Sequence, residues 1–330
     1  MEHVRFGRTG LRVSRLCLGT MTFGFQCDEP ASVAILDAAA EAGITFLDTA
    51  DAYPLGAPLA DAGRTEEILG RWLKGRRDRF VLATKCFAPT GPSPWDVGSS
   101  RQNIMRAIDA SLRRLQTDHV DLYQLHFWDV NTPVDESLLA LDDLIRAGKV
   151  RYVGISNVLA YQLARSLGRS EVLHVTRFDS LQPRYNLLFR QLERELLPLA
   201  AEEQIAVIPY NALAGGLLTG KHASDRPPAD GTRFTLGNAA RTYTDRYWHE
   251  RELATVEALR PLAEEAGRTM ADMAIAWVLA NPVITSPIIG ASRPDQLDAA
   301  VRAVGSPLEP DLKARLDELT TEYRFGDATR

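Results

Sequence analysis

Short apolar runs recur along the chain, and stretches with helical spacing lie between them. The runs fall at Leu16–Gly19, Thr45–Asp48, Phe80–Lys85, Leu122–His126, Tyr152–Ser156, Phe178–Gln182, Ala206–Tyr210 and Ser286–Ile289. Polar and apolar positions do not alternate within them, as in parallel strands covered on both faces. Between runs the period becomes helical: Ile104, Ile108, Leu112 and Leu115 follow a capping box of Ser99 and Gln102. Thr132, Pro133 and Asp135 open a further helix, which Gly148 can close. Eight strand–helix units without a linker predict one α/β domain over residues 1–330, a (β/α)8 TIM barrel. A doubly wound open sheet is the competing architecture. That fold calls for an early G-x-G-x-x-G, and none follows the first run.

Two segments stand outside the repeat. The opening VRFGRTGLRVS predicts an N-terminal β-hairpin with Thr9-Gly10 near its turn, and Asn211–Glu250 forms a long loop after the seventh strand. That loop is rich in Gly, Pro, Asp and Arg, which reads as functional rather than as a linker. Met273–Ser292 is uncharged and long enough to span a membrane. Asn281, Pro282 and Pro287 instead predict a buried helix followed by a buried strand, so no membrane partner is expected.

Composition narrows the function classes. With 330 residues, 45% of them hydrophobic, the chain can bury a large core. A net charge of -5 with both signs interspersed gives no general attraction for nucleic acid or anionic lipid. Any anion must therefore meet a local basic cluster. Cys17, Cys27 and Cys86 form no C-x-x-C pair, and MEHVRFGRTG lacks the apolar core of a signal peptide. A cytoplasmic protein with reduced thiols is expected. The six histidines form no H-x-x-x-H pattern, so no metal site is expected.

The ends of the runs carry the chemistry. The second ends in Asp48, the third in Lys85, the fourth in His126, the fifth in Ser156-Asn157, the sixth in Gln182 and the seventh in Tyr210. In a parallel barrel all of these face the C-terminal mouth. Taken singly, Asp48 reads as a helix cap and Tyr53 as a loop aromatic; six consecutive polar ends do not read that way. An Asp and a Lys on adjacent strands form an ion pair, tolerable in the interior because each satisfies the other. A Tyr53 hydroxyl near that cation is expected to have its phenolate favoured, lowering its pKa from about 10. Such a tyrosine can protonate a carbonyl oxygen as charge develops there, and a neutral His126 can orient the same oxygen. No nucleophile accompanies the donor, which points to hydride addition. A barrel hydrolase would need a second carboxylate at a strand end, where Lys85 stands instead.

FLDTADAY, VLATK, DLYQLH, VGISN, LQPRYN and IIGASRPDQL occur in this order over nearly the whole chain. Together they resemble the aldo-keto reductase superfamily, in its bacterial-type branch related to potassium-channel β subunits. The resemblance implies a (β/α)8 fold, an NADPH/NADP+ cofactor and a catalytic tetrad of Asp48, Tyr53, Lys85 and His126, with Asp48 also on the cofactor side. It implies that Ser156, Asn157 and Gln182 hold the nicotinamide carboxamide and that Tyr210 stacks on its ring. Gly19, Thr20 and Met21 are expected near the nicotinamide ribose.

YNALAGGLLTGK resembles the family's phosphate-strapping loop, which assigns Asn211, Leu213, Gly215 and Lys221 to the pyrophosphate. Asn211 and Ala212 stand where Ser and Pro are common. Gly215–Lys221 also satisfies G-x-x-x-x-G-K, but His222 follows where a phosphate-binding loop needs Ser or Thr. After the eighth strand, Gly290, Ser292, Arg293 and Gln296 open a turn into a helix, a ready anion site. Ser292 can cap that helix with Asp295 completing a capping box, while Arg293 and Arg233 supply positive charge for a 2′-phosphate. Ala299 and Ala300 stand where related reductases carry Glu and Asn for the adenine.

The loop aromatics Phe23, Trp95, Phe127, Trp128 and Trp248 are expected to wall a substrate pocket. The implied function is NADPH-dependent reduction of a small-molecule carbonyl, whether an aldehyde, a keto-sugar or a bulky ketone. The alternative is a cofactor-binding regulatory subunit of the potassium-channel β type, on the same fold.

Overall fold

The hairpin is the first element of the chain: β1 (His3–Arg5) pairs antiparallel with β2 (Arg12–Ser14), Val4 opposite Val13. The structure, a computed structural model, describes residues 1–223 and 226–325. Eight parallel strands follow: β3 (Cys17–Gly19), β4 (Phe46–Asp48), β5 (Val81–Cys86), β6 (Val120–Leu125), β7 (Val150–Ser156), β8 (Ser180–Gln182), β9 (Ala206–Val207) and β10 (Ile288–Gly290). Neighbours in sequence are neighbours in the sheet from β3 to β9, and β10 pairs with β3. The sheet closes between β9 and the segment entering β10, where Thr285 N–H donates to Val207 O (2.8 Å) and Ile288 N–H to Pro209 O (2.8 Å). This is the (β/α)8 barrel.

Helices α1 (Glu29–Glu41), α2 (Arg64–Leu73), α3 (Arg101–Leu115), α4 (Val134–Arg146), α5 (Ala160–Leu173) and α6 (Leu196–Glu202) each connect two strands. α7 (Ala240–Tyr247), α8 (Glu250–Glu265) and α9 (Met270–Leu279) lie between β9 and β10, and α10 (Asp298–Gly305) and α11 (Pro310–Leu319) follow β10. The uncharged Met273–Ser292 stretch divides into the rest of α9 and β10, and no described helix is long and apolar enough to cross a membrane. One cap departs from expectation. Ser100, not Ser99, caps α3 by accepting from Asn103 N–H, because Asp129 holds the Ser99 N–H at 2.8 Å.

Strand alternation sorts the core into two compartments. Residues facing outward, among them Leu18, Leu47, Leu82, Tyr123, Val153, Leu181 and Ile289, pack against the helices in the larger core. Those facing inward, Cys17, Phe46, Ala83, Leu122, Ala206 and Ile288, form a smaller core with Phe6 and Val13 of the hairpin. Phe6 stands edge-on to Phe46 with ring centroids 5.9 Å apart. The hairpin thus stoppers the bottom of the barrel. Gly7 (φ 56°) lets it seat closely, since a Cβ there would come within 2.6 Å of Gln204 O. On β4, β5 and β6 the apolar interior ends two residues higher, at Asp48, Lys85 and Gln124.

Phe6→Ala should lower unfolding stability by roughly 3–5 kcal/mol through loss of the stopper. A urea midpoint equal to wild type would show that the hairpin carries no core energy.

Candidate active site

The inward positions above the apolar floor are Asp48, Lys85, Gln124 and Gln182, all buried. Lys85 Nζ donates to Asp48 Oδ2 at 2.6 Å and to Thr49 O at 2.7 Å. The other Asp48 oxygen accepts from Gln182 Nε2 (2.9 Å) and Gln124 Nε2 (3.2 Å). Two fully desolvated charges are tolerated here because every strong hydrogen-bonding position on them is met. Burial acts against the Lys85 ammonium, but Asp48 and the Tyr53 hydroxyl outweigh it, and its pKa is displaced upward. Lys85 is a fixed cation.

Tyr53 rises over this pair, 8% exposed, with its hydroxyl 3.5 Å from Lys85 Nζ. Its ring lies beneath the edge of His126, centroids 5.8 Å apart. The expected depression of the phenol does not hold in this structure. Burial pushes Tyr53 above its ordinary value, and the opposing pull of Lys85 is the smaller effect. The hydroxyl therefore keeps its proton near pH 7. His126 follows β6, its Nδ1 buried without a partner and its ring stacked on Phe127. Burial, aided by Lys85, holds its pKa well below the ordinary 6.5, so it is neutral near pH 7.

The remaining strand ends form one hydrogen-bonded rim. Ser156 Oγ donates to Gln182 O (2.6 Å) and Asn157 Nδ2 to His126 O (3.0 Å). Asn157, in the left-handed region at φ 55°, accepts from the Tyr210 hydroxyl at 2.7 Å, which fixes the tilt of that ring. β9 ends before Tyr210, which follows Pro209 and meets Arg184 in an isolated bridge. Gly19 and Thr20 are buried beside Asp48, and Thr20 Oγ1 donates to Asp48 O (2.9 Å). Met21 is part-buried, and its carbonyl accepts from Leu55 N–H.

The long loop crosses the mouth as a strap. Ala214–Thr219 forms a 3-10 turn broken by Gly215 (φ 70°) and Gly216 (φ 103°), conformations a side chain would strain. Its far side is tied down where Gln26 Nε2 donates to Gly231 O (2.8 Å) and Asn238 N–H to Gly56 O (3.2 Å). Lys221, Arg233 and Arg293 come together across it. Burial lowers the Lys221 ammonium first, then repulsion by Arg293 and Arg233. Among the described residues neither Lys221 nor Arg233 has a carboxylate partner, and Arg233 Nη1 and Asn211 Nδ2 are buried without an acceptor. Arg233 passes over Gly290, where a Cβ would stand 3.5 Å from its Nη2.

Several sequence expectations change here. Ser292 N–H donates to Gln296 Oε1 (2.8 Å), so Gln296 closes this turn, while Asp295 pairs with Arg293 at 3.2 Å. The helix after β10 begins as a short 3-10 turn, Pro294–Leu297. Phe23 is fully buried in the outer core and walls no pocket. Trp128 is part-buried and packs against that same core. Trp248 packs inside the strap, 5.2 Å from His222 and 4.9 Å from Phe234 by ring centroids. Trp95 and Phe127 are exposed.

Comparison with known proteins settles the family. The aldo/keto reductase family model matches residues 15–321. The chain belongs to the aldo/keto reductase family. It is 40% identical to an uncharacterized oxidoreductase, YrpG, from Bacillus subtilis (strain 168), over 97% of this chain and 96% of that one. It is 37% identical to a probable voltage-gated potassium channel subunit beta from Arabidopsis thaliana, over 92% and 91% of the two chains. An L-glyceraldehyde 3-phosphate reductase from Escherichia coli O157:H7 is 35% identical over 93% of this chain and 88% of its own.

In this aldo/keto reductase the sequence reading missed Gln124 and the buried acids Asp51 and Glu66. Gln124 was reachable: it shares the inward parity of Leu122 and His126 and stands in register with Lys85. Asp51 and Glu66 lack such a signal, because one lies in a turn and the other inside a helix.

Lys85→Met should cost roughly 3–5 kcal/mol of stability by leaving Asp48 charged and unpaired. Adding Asp48→Asn should recover part of that loss. Strictly additive losses in denaturation would mean that the two side chains do not couple.

Proposed function

We propose that this aldo/keto reductase reduces an aldehyde or ketone to the alcohol, with NADPH as hydride source. The observation that carries the reading is a buried tyrosine hydroxyl poised 3.5 Å from a buried, paired lysine at the barrel mouth. When bound, NADPH would supply the hydride whose bond forms at the carbonyl carbon. As that bond forms, charge builds on the carbonyl oxygen, and Tyr53 gives it a proton. The phenolate left behind is stabilised by Lys85, which Asp48 holds in place. Neutral His126 donates a hydrogen bond to the same oxygen and orients it.

The residues present fit a dinucleotide. Three cations, two of them without carboxylate partners among the described residues, and the donors of Asn211 and Arg233 left unpartnered there suit a pyrophosphate and a 2′-phosphate. The strap residues Leu213, Gly215 and Lys221 lie along one side, with Gly290, Ser292 and Gln296 at the end of β10. Ser156, Asn157 and Gln182 form the rim for the carboxamide, beside Gly19, Thr20 and Met21, and Tyr210 offers a fixed aromatic face. Exposed Trp95 and Phe127 favour a substrate with apolar bulk. Three buried free thiols suit a cytoplasmic setting. A regulatory, cofactor-holding role like that named for the potassium-channel relatives would use the same fold, and turnover separates the two.

Tyr53→Phe should reduce kcat by about 10²–10⁴-fold while leaving NADPH affinity nearly unchanged. The assay is NADPH oxidation over aldehydes, keto-sugars and polycyclic ketones. Near-wild-type turnover would sink this mechanism, and a wild type that binds NADPH but turns over none of the panel would favour the regulatory role.

Arg293→Ala should weaken use of NADPH more than of NADH, since charge-assisted hydrogen bonds to a phosphate are worth roughly 1.5–3 kcal/mol each. Buried Ala300 offers the adenine no polar contact, which leaves the phosphate a larger share of the discrimination. Equal loss in kcat/KM for both cofactors would mean that Arg293 does not read the phosphate.

A further inference from the structure

Behind Tyr53, outside the barrel wall, lies a buried polar cluster that the proposed reaction does not use. The Tyr53 carbonyl accepts from the N–H of Gly63 (3.0 Å), the residue that starts α2 at φ 91°. Glu66 stands one turn into that helix and is fully buried, on a face otherwise built of Ile68, Leu69, Trp72 and Leu73. One of its oxygens accepts from Thr84 Oγ1 (2.5 Å) and the other from Arg114 Nε (2.7 Å). Thr84 precedes Lys85 on β5 and points outward where Lys85 points in. The Arg114 side chain runs beneath Gly63, so closely that a Cβ there would come within 2.5 Å of its Cδ and Nε.

Asp51 completes the arrangement. Its N–H donates to Lys85 O (3.0 Å), and its carboxyl is buried with Oδ1 unpartnered. Burial, then the neighbouring Glu66, pushes its pKa well up. Of the two acids, it is Glu66 that meets Arg114 directly, at 2.7 Å. An apolar side chain at position 66 would also bury α2. A charged one held by two directional partners fixes a single placement of the helix.

We propose that Glu66 is a positioning residue for Tyr53: through Thr84 and Arg114 it ties the turn carrying Tyr53 to the strand carrying Lys85. The inference rests on the reading of Tyr53 as proton donor, because only then does the distance between these two side chains govern turnover. A displacement of about 1 Å at such a pair can cost roughly 10²-fold in rate.

The test is Glu66→Gln, which keeps the volume and one acceptor for Thr84 but removes the charge facing Arg114. Its kcat should fall roughly 10–100-fold, with carbonyl KM and NADPH Kd within about twofold of wild type. In protein carrying ¹³C-tyrosine, the NMR signal of Tyr53, assigned by its loss in Tyr53→Phe, should shift. Asp121→Asn is the control, because it breaks a part-buried pair with Arg77 (2.7 Å) at the opposite end of the β5–β6 strands. It should lower stability and leave both kcat and the Tyr53 signal unchanged. An unaltered kcat or an unmoved Tyr53 signal in Glu66→Gln overturns the proposal, as does an equal kcat loss in Asp121→Asn. Should Glu66→Gln fail to fold, Thr84→Val removes the hydroxyl link alone, and an unmoved Tyr53 signal there overturns it equally. A wild type without turnover would end the proposed function, while the NMR comparison would still decide the role of Glu66.

Discussion

The mouth of this barrel depends on one ion pair. Lys85 and Asp48 are held 2.6 Å apart with almost no solvent access, and neither charge is stable there alone. Much of what surrounds them follows from that constraint. Gln124 and Gln182 point inward because the second oxygen of Asp48 needs donors, and Thr49 turns its carbonyl toward Lys85 Nζ. The interior therefore changes character along its axis, hydrocarbon below and a saturated polar layer above. Tyr53 meets the upper face of that layer, where its hydroxyl finds a cation that cannot move away.

The rim around the pair has a division of labour set by chain order. Loops after β3 to β6 carry Tyr53, Trp95, His126 and Phe127, and they leave apolar surface exposed. The ends of β7 and β8 and the segments after β9 and β10 carry amides, hydroxyls and most of the cations. The strap joins these halves by running from the end of β9 to the loops after β3 and β4. Its unpartnered donors are costly in isolation, and an anion is the natural group to satisfy them.

Much of this arrangement was legible in the sequence, because it follows periodicities. Each of the eight apolar runs became a strand, displaced by at most a few residues, and the polar run ends foretold the mouth. The resemblance placed Asp48, Tyr53, Lys85 and His126 together, and the structure packs them within one cluster. What escaped was decided by packing rather than by pattern. Phe23 carries the same apolar signal whether it faces a pocket or a core. The Tyr53 phenol was expected to be dominated by Lys85, but the sequence does not reveal that burial acts on it more strongly. Glu66 looks like an ordinary helix surface acid until α3 brings Arg114 over it. Gln296 rather than Asp295 returns to Ser292, because Asp295 is drawn to Arg293.

The N-terminal hairpin has a consequence for traffic. With Phe6 filling the floor against Phe46, the barrel is a blind cup rather than a pipe. Any molecule that reaches Lys85 must enter and leave past the same rim. Two reactants cannot arrive from opposite ends, and a spent one cannot drain away behind a fresh arrival. Visitors to the site therefore queue. Whatever lies deeper in the cup is covered by whatever lies nearer the rim.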